Sequence, residues 1–114
     1  MSDCIFCRIA ARQIPASIVY EDDRVLAFND TNPQGPTHIL LIPKRHIATL
    51  NDLTSADDGI VGELVRRASA IAADRGISAG GYRVLFNTNR DAGQTVFHIH
   101  LHLIGGRTLT WPPG

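Results

Sequence analysis

The sequence carries no excess of either charge. Eleven basic residues stand against eleven acidic ones over 114 positions, a formal net charge of zero. Nucleic-acid binding rests on a basic surface that neutralises phosphates, so this balance argues against a nucleic-acid partner. It also leaves no whole-molecule field to steer anions, and any chemistry on phosphate must rely on local donors. No apolar run approaches membrane-spanning length, and the first residues lack a basic-plus-apolar signal region. The expectation is a cytoplasmic protein with no membrane partner. Cysteine is scarce, at two residues, and in a reducing compartment a structural disulfide is not expected. Low-complexity linkers, repeats and charge blocks are missing as well, so residues 1–114 read as one domain.

What is present reads as an α+β fold. Ile5, Phe6 and Ile9 recur at helical spacing between Cys4 and Ala11, and Pro15 stops that short helix. Ile18–Tyr20 and Val25–Phe28 are short β-type runs split by a turn at Asp22-Asp23, and Thr37 to Pro43 reads as a mostly buried strand after the loop 32–36. From about Ser55 to Arg75, Ile60, Val61, Leu64, Val65, Ala68, Ile71 and Ala72 form one apolar stripe. Thr54 with Asp57 caps its start and Gly76 ends it. A strand from Tyr82 to Asn87 and a polar turn through Asp91–Gln94 follow. About five strands, one long helix and one short helix, joined by short connections, favour an antiparallel sheet with helices to one side.

The most informative segment is His98-Ile99-His100-Leu101-His102-Leu103-Ile104. In a strand this spacing puts three imidazoles on one face, while Ile99, Leu101 and Leu103 fill the other. Such a row could be satisfied structural histidines, although three in register pack a core poorly. It could hold a catalytic metal, but no carboxylate lies beside it to serve as base. It could be a nucleophile with its helpers. A neutral imidazole attacks phosphorus well and leaves well, and its neighbours can donate to phosphate oxygens. Gly93-Gln94-Thr95 just upstream adds backbone N–H groups, an amide and a hydroxyl, which favours direct attack.

The His-φ-His-φ-His-φ-φ pattern of residues 98–104 resembles the signature of the histidine-triad (HIT) superfamily. Asn32-Pro33-Gln34-Gly35-Pro36-Thr37-His38, Ile42-Pro43-Lys44-Arg45-His46 and the ending Gly105-Gly106-Arg107 … Trp111-Pro112-Pro113-Gly114 resemble its Hint branch of purine nucleoside phosphoramidases. The resemblance implies a HIT fold that dimerises into a continuous two-subunit sheet, and a hydrolase of substrates such as adenosine phosphoramidate, AMP-lysine or aminoacyl-adenylates. The alternatives are a dinucleoside polyphosphate hydrolase, against which the Trp-Pro-Pro-Gly tail argues, and a nucleotide-binding sensor with incidental turnover. It implies His100 as nucleophile, forming a nucleotidyl-histidine intermediate. His38 would orient His100, and His102 would donate to the phosphate or the leaving group. Asp30 would accept from the ribose hydroxyls with Asn29 beside it, and Ile5, Phe6, Ile9 and Phe28 would form the purine slot. Asn87, Gly93, Gln94 and Thr95 would line the phosphate and leaving-group side. Thr95 replaces the serine usual there, and Thr31 makes the slot slightly more polar.

Cys4-x-x-Cys7 alone fits a metal pair, a redox motif or two buried thiols. Bacterial-type HIT proteins with this pair resemble the present chain, which implies Cys4, Cys7, His46 and His98 as a closed structural zinc set. Ile5 and Phe6 lie between the cysteines, so zinc would fix the floor of the purine slot. No organic cofactor is expected. The tail, residues 105–114, would lie near the partner's site, with Trp111 helping to select substrate in a homodimer.

Overall fold

The computed structural model describes residues 3–114. Among them the elements run α1 (Ile5–Ala10), β1 (Ile18–Glu21), β2 (Val25–Asn29), β3 (Thr37–Pro43), α2 (Asp58–Asp74), β4 (Tyr82–Leu85), α3 (Asn89–Ala92) and β5 (Leu101–Gly105). The strands form one five-stranded sheet in the order β1-β2-β3-β5-β4, with every neighbouring pair antiparallel. β3 lies centrally and is buried along its whole length, as its nearly unbroken apolar run requires.

The sheet separates two hydrophobic layers. On one face Val25, Ala27, Ile39, Leu41, Leu101 and Leu103 pack with Ile60, Leu64, Ala68, Ile71 and Ala72 of α2. On the other, Leu26, Phe28, Leu40 and Ile42 pack with Phe6 and Ile9 of α1. Period-two alternation along β2, β3 and β5 assigns residues to the two layers, and it carries the even-numbered histidines to the α1 side. α2 enters through a one-turn 3-10 segment, Ser55–Asp57, whose capping box joins Thr54 and Asp57.

Four expectations are corrected. The helices do not lie to one side: α2 packs on one face of the sheet and α1 on the other, because both faces of β2 and β3 are apolar. α1 is one residue shorter at each end than Cys4–Ala11; Cys4 is its N-cap, and its sulfur accepts the Cys7 N–H. The turn before the histidine segment contains the four-residue helix α3, closed by Gly93 at φ +84°. β5 begins only at Leu101, so His98 and His100 precede the ladder. The pairing Leu41↔Leu101 would next bring Pro43 opposite Ile99, but Pro43 has no N–H to donate, and the Ile99 N–H goes to Ile47 O at 2.7 Å.

Candidate active site

The histidines lie between α1 and the sheet, each with one ring nitrogen committed to main chain or to another ring. His98 is fully buried, and its Nε2 donates to Pro43 O at 2.7 Å. Its Nδ1 therefore bears the lone pair. That nitrogen is 3.3 Å from Cys4 Sγ, 3.4 Å from Cys7 Sγ and 3.3 Å from His46 Nδ1. Cys7 Sγ is 3.2 Å from His46 Nδ1, and all four donors lie within 4.8 Å of one another. Cys4, Cys7, His46 and His98 form a group that can hold a metal ion. Burial, with His46 and His100 nearby, pushes His98 down to about 4, which keeps the ring neutral as a ligand must be.

His100 donates Nδ1–H to the carbonyl of His98 at 2.8 Å. Its Nε2 is then the unprotonated nitrogen, on a ring that lines a cavity of about 610 Å³. Burial also lowers the pKa of His100, against the pull of the His98 carbonyl and Asp30. The Phe6 ring meets it edge-on, with centroids 5.0 Å apart and planes at 90°, and Phe6 meets Phe28 in the same manner at 5.4 Å.

His38 corrects one expected role. Its Nε2 lies 2.9 Å from His102 Nδ1 and 3.3 Å from Asp30 Oδ2, while its Nδ1 accepts the Gln34 N–H at 3.0 Å. It orients His102 and not His100, whose ring is set by the His98 carbonyl. Because Gln34 donates to Nδ1, His38 carries its proton on Nε2, and His102 Nδ1 accepts it. His102 thus keeps its own proton on Nε2, a buried nitrogen with no protein partner. Burial, then the neighbouring His100 and His38, push His102 down to about 4, with Asp30 opposing. His38 is lowered by burial against the same carboxylate.

Ile5, Phe6, Ile9, Phe28, Asn29, Asp30, Thr95, His100 and His102 all line this one cavity. Asn87, Gly93, Gln94 and Trp111 are not in its wall. Gln94 is buried as a brace: Oε1 accepts the Asn89 N–H, and Nε2 donates to Ala48 O and Val96 O. Trp111 is 82% exposed on this chain. Sequence reasoning missed Ile14–Ser17, Leu40 and Val96, which complete the wall alongside Thr31. Their signal is strand register: Ile18↔Phe28 brings Ser17 to Asn29, whose Nδ2 donates to Ser17 Oγ at 2.9 Å, and Leu40↔His102 puts Leu40 beside the third ring.

The HIT domain model matches residues 11–109 of the chain. This chain is a member of the HIT family. It is 50% identical to the purine nucleoside phosphoramidase of Escherichia coli K12 over 107 residues, 94% of this chain and 90% of that protein. A HIT family hydrolase from Legionella pneumophila superposes with a TM-score of 0.97 at 53% identity, covering 98% of this chain and all of that one. A histidine triad protein from Clostridium difficile gives 0.93 at 45% identity, with 96% of each chain covered. The chain is accordingly a HIT hydrolase. No helix among the described residues is long and apolar enough to cross a membrane.

The depressed imidazoles carry a stability consequence with a definite sign. Unfolded histidines take up protons near the ordinary imidazole value of 6.5, whereas buried His38 and His102 refuse them until lower pH. The stability they contribute is complete above pH 6.5 and is lost as pH falls towards 4. Thermal unfolding should show Tm dropping across that interval, and dropping less in His102→Gln. Parallel curves for the two proteins would contradict this assignment.

Proposed function

We propose that this chain hydrolyses purine nucleoside phosphoramidates, of the adenosine phosphoramidate or AMP-lysine type, and the related acyl–phosphate bond of aminoacyl-adenylates, through a nucleotidyl-histidine on His100. One observation carries the reading: Nδ1 of His100 is spent on the His98 carbonyl, which leaves the Nε2 lone pair on a cavity-lining ring. That lone pair attacks the α-phosphorus. As the P–N bond of a phosphoramidate breaks, the leaving amine takes a proton from a water molecule, while neutral His102 keeps its Nε2–H and donates a hydrogen bond to a phosphate oxygen. The hydroxide left by that water then attacks phosphorus, the bond to His100 breaks, and the Nε2 lone pair of His100 is restored.

Several residues bind. The aromatic and aliphatic wall of Phe6, Phe28, Ile5 and Ile9 suits a purine face, and Asp30 suits a ribose diol. With Asn87, Gly93 and Gln94 outside the wall, the phosphate side falls to Thr95 and the two rings. The leading ligand for the four-donor group is zinc. Bonds of about 2.0–2.3 Å in a tetrahedron place donors about 3.3–3.8 Å apart; four of the six donor pairs here stand 3.2–3.4 Å apart, and all six lie within 4.8 Å. Two cysteines and two histidines fill all four positions, so the ion would be structural. A homodimer would use the open edge strand β4 and α2, where Val84 and Val65 are exposed, and would give Trp111 a surface to cover.

Mass spectrometry of enzyme quenched during turnover of adenosine phosphoramidate should show one AMP on His100, and none in His100→Ala. Turnover by wild type without any adduct, or with the adduct elsewhere, would defeat the reading. Metal removal supplies a second check. Phe6 sits between the two cysteines and also touches Phe28 and His100, so chelation should raise KM more than it lowers kcat. Metal-free protein that keeps its KM and loses only kcat would contradict the link.

A further inference from the structure

Outside the cavity, one exposed side chain reaches the third histidine through the main chain. Arg107 follows β5 and the Gly105-Gly106 pair. Its Nε donates to Gln34 O at 2.8 Å, and its Nη1 donates to Thr108 O at 2.9 Å. The N–H of the same Gln34 donates to His38 Nδ1 at 3.0 Å, and His38 Nε2 is 2.9 Å from His102 Nδ1. The loop carrying Gln34 lies directly on the end of β5. A Cβ on Gly106 would stand 2.9 Å from Pro36 Cβ, and one on Gly35 would stand 3.1 Å from Gly105 O.

We propose that Arg107 is a positioning residue for the reaction: by anchoring Gln34 it keeps the His38 ring in the tautomer that holds the His102 proton on Nε2, facing the substrate. The proposal rests on the reading of His102 as hydrogen-bond donor to the substrate phosphate. Pro33 and Pro36 restrict their own φ angles, but Gly35 between Gln34 and Pro36 is the most permissive residue type. Something must fix the direction of the Gln34 main chain, and the Arg107 fork does so from the opposite segment. With the Gln34 N–H withdrawn, His38 is free to place its proton on Nδ1. His102 would then donate Nδ1–H to His38 and present a bare Nε2 to the substrate, unable to donate a hydrogen bond to a phosphate oxygen. Asp30 Oδ2, 3.3 Å from His38 Nε2, favours the same tautomer as Gln34 but cannot exclude a proton from Nδ1.

The test compares full-length, metal-loaded wild type with Arg107→Met, Arg107→Lys and Arg83→Met. Arg83 is the control, because its Nη2 holds Thr110 O at 3.1 Å in the same tail without reaching Gln34. Ring-nitrogen NMR of the ligand-free proteins reports which nitrogen of His102 is protonated. In wild type and Arg83→Met it should be Nε2; in Arg107→Met the two tautomers should mix. With adenosine phosphoramidate, Arg107→Met should lose roughly tenfold in kcat with KM unchanged, and Arg107→Lys should recover part of the loss. A wild-type His102 tautomer in Arg107→Met, an unchanged kcat, or an equal loss in Arg83→Met would each overturn the proposal. If wild type does not hydrolyse the phosphoramidate, the functional reading fails and the nitrogen shifts alone decide. A changed His102 tautomer in Arg107→Met then supports the role of Arg107, and an unchanged one rejects it.

Discussion

Main-chain groups decide the chemistry of these imidazoles. Pro43 O takes the His98 Nε2 proton, His98 O takes the His100 Nδ1 proton, and the Gln34 N–H occupies the His38 Nδ1 lone pair. Each bond commits one nitrogen and so defines what the other can do. His98 turns a lone pair towards two sulfurs, His100 keeps a lone pair at the cavity, and His102, set through His38, keeps a proton there. On the proposed reading, side chains of one type serve as ligand, nucleophile and donor with no change in residue identity. Burial supports all three roles, since it holds the rings neutral near neutral pH.

The two halves of the site share a structural element. α1 is capped by one cysteine of the four-donor group and carries the second on its first turn, while Phe6 and Ile9 pack into the apolar layer beneath the sheet. Phe6 meets Phe28, His98 and His100 edge-on, so one ring touches the cavity wall, the four-donor corner and the ring proposed as nucleophile. The opposite layer under α2 needs no such dual use; its buried residues are all aliphatic, with Tyr20, Tyr82 and Phe86 packed against them partly buried. The cavity and the four-donor group both lie on the sheet face where the helix is short.

Much of this was legible from residue order. Alternation at 98–104 assigned the histidines to one face, and the resemblance named Cys4, Cys7, His46 and His98 together before any distance was known. Register was not legible, because nothing in a single chain says which residues of two distant strands lie opposite. The pairing Leu40↔His102 puts His38 diagonally across from His102, and this is why it orients that ring and not His100. The early end of the β5 ladder has a similar cause: Ile47, far away in sequence, captures the Ile99 N–H. Gln94 looked like a phosphate donor because amides often are. A buried amide must satisfy both its ends, and three main-chain partners do so here.

The central claim is that bond cleavage proceeds through His100 and not by direct attack of water. Stereochemistry at phosphorus tests it most directly. An adenosine phosphoramidate made chiral at phosphorus by sulfur would be hydrolysed in oxygen-18 water and the configuration of the product determined. Two successive in-line displacements, the first by His100 Nε2 and the second by water, predict net retention. Net inversion would mean a single displacement by water and would contradict the account.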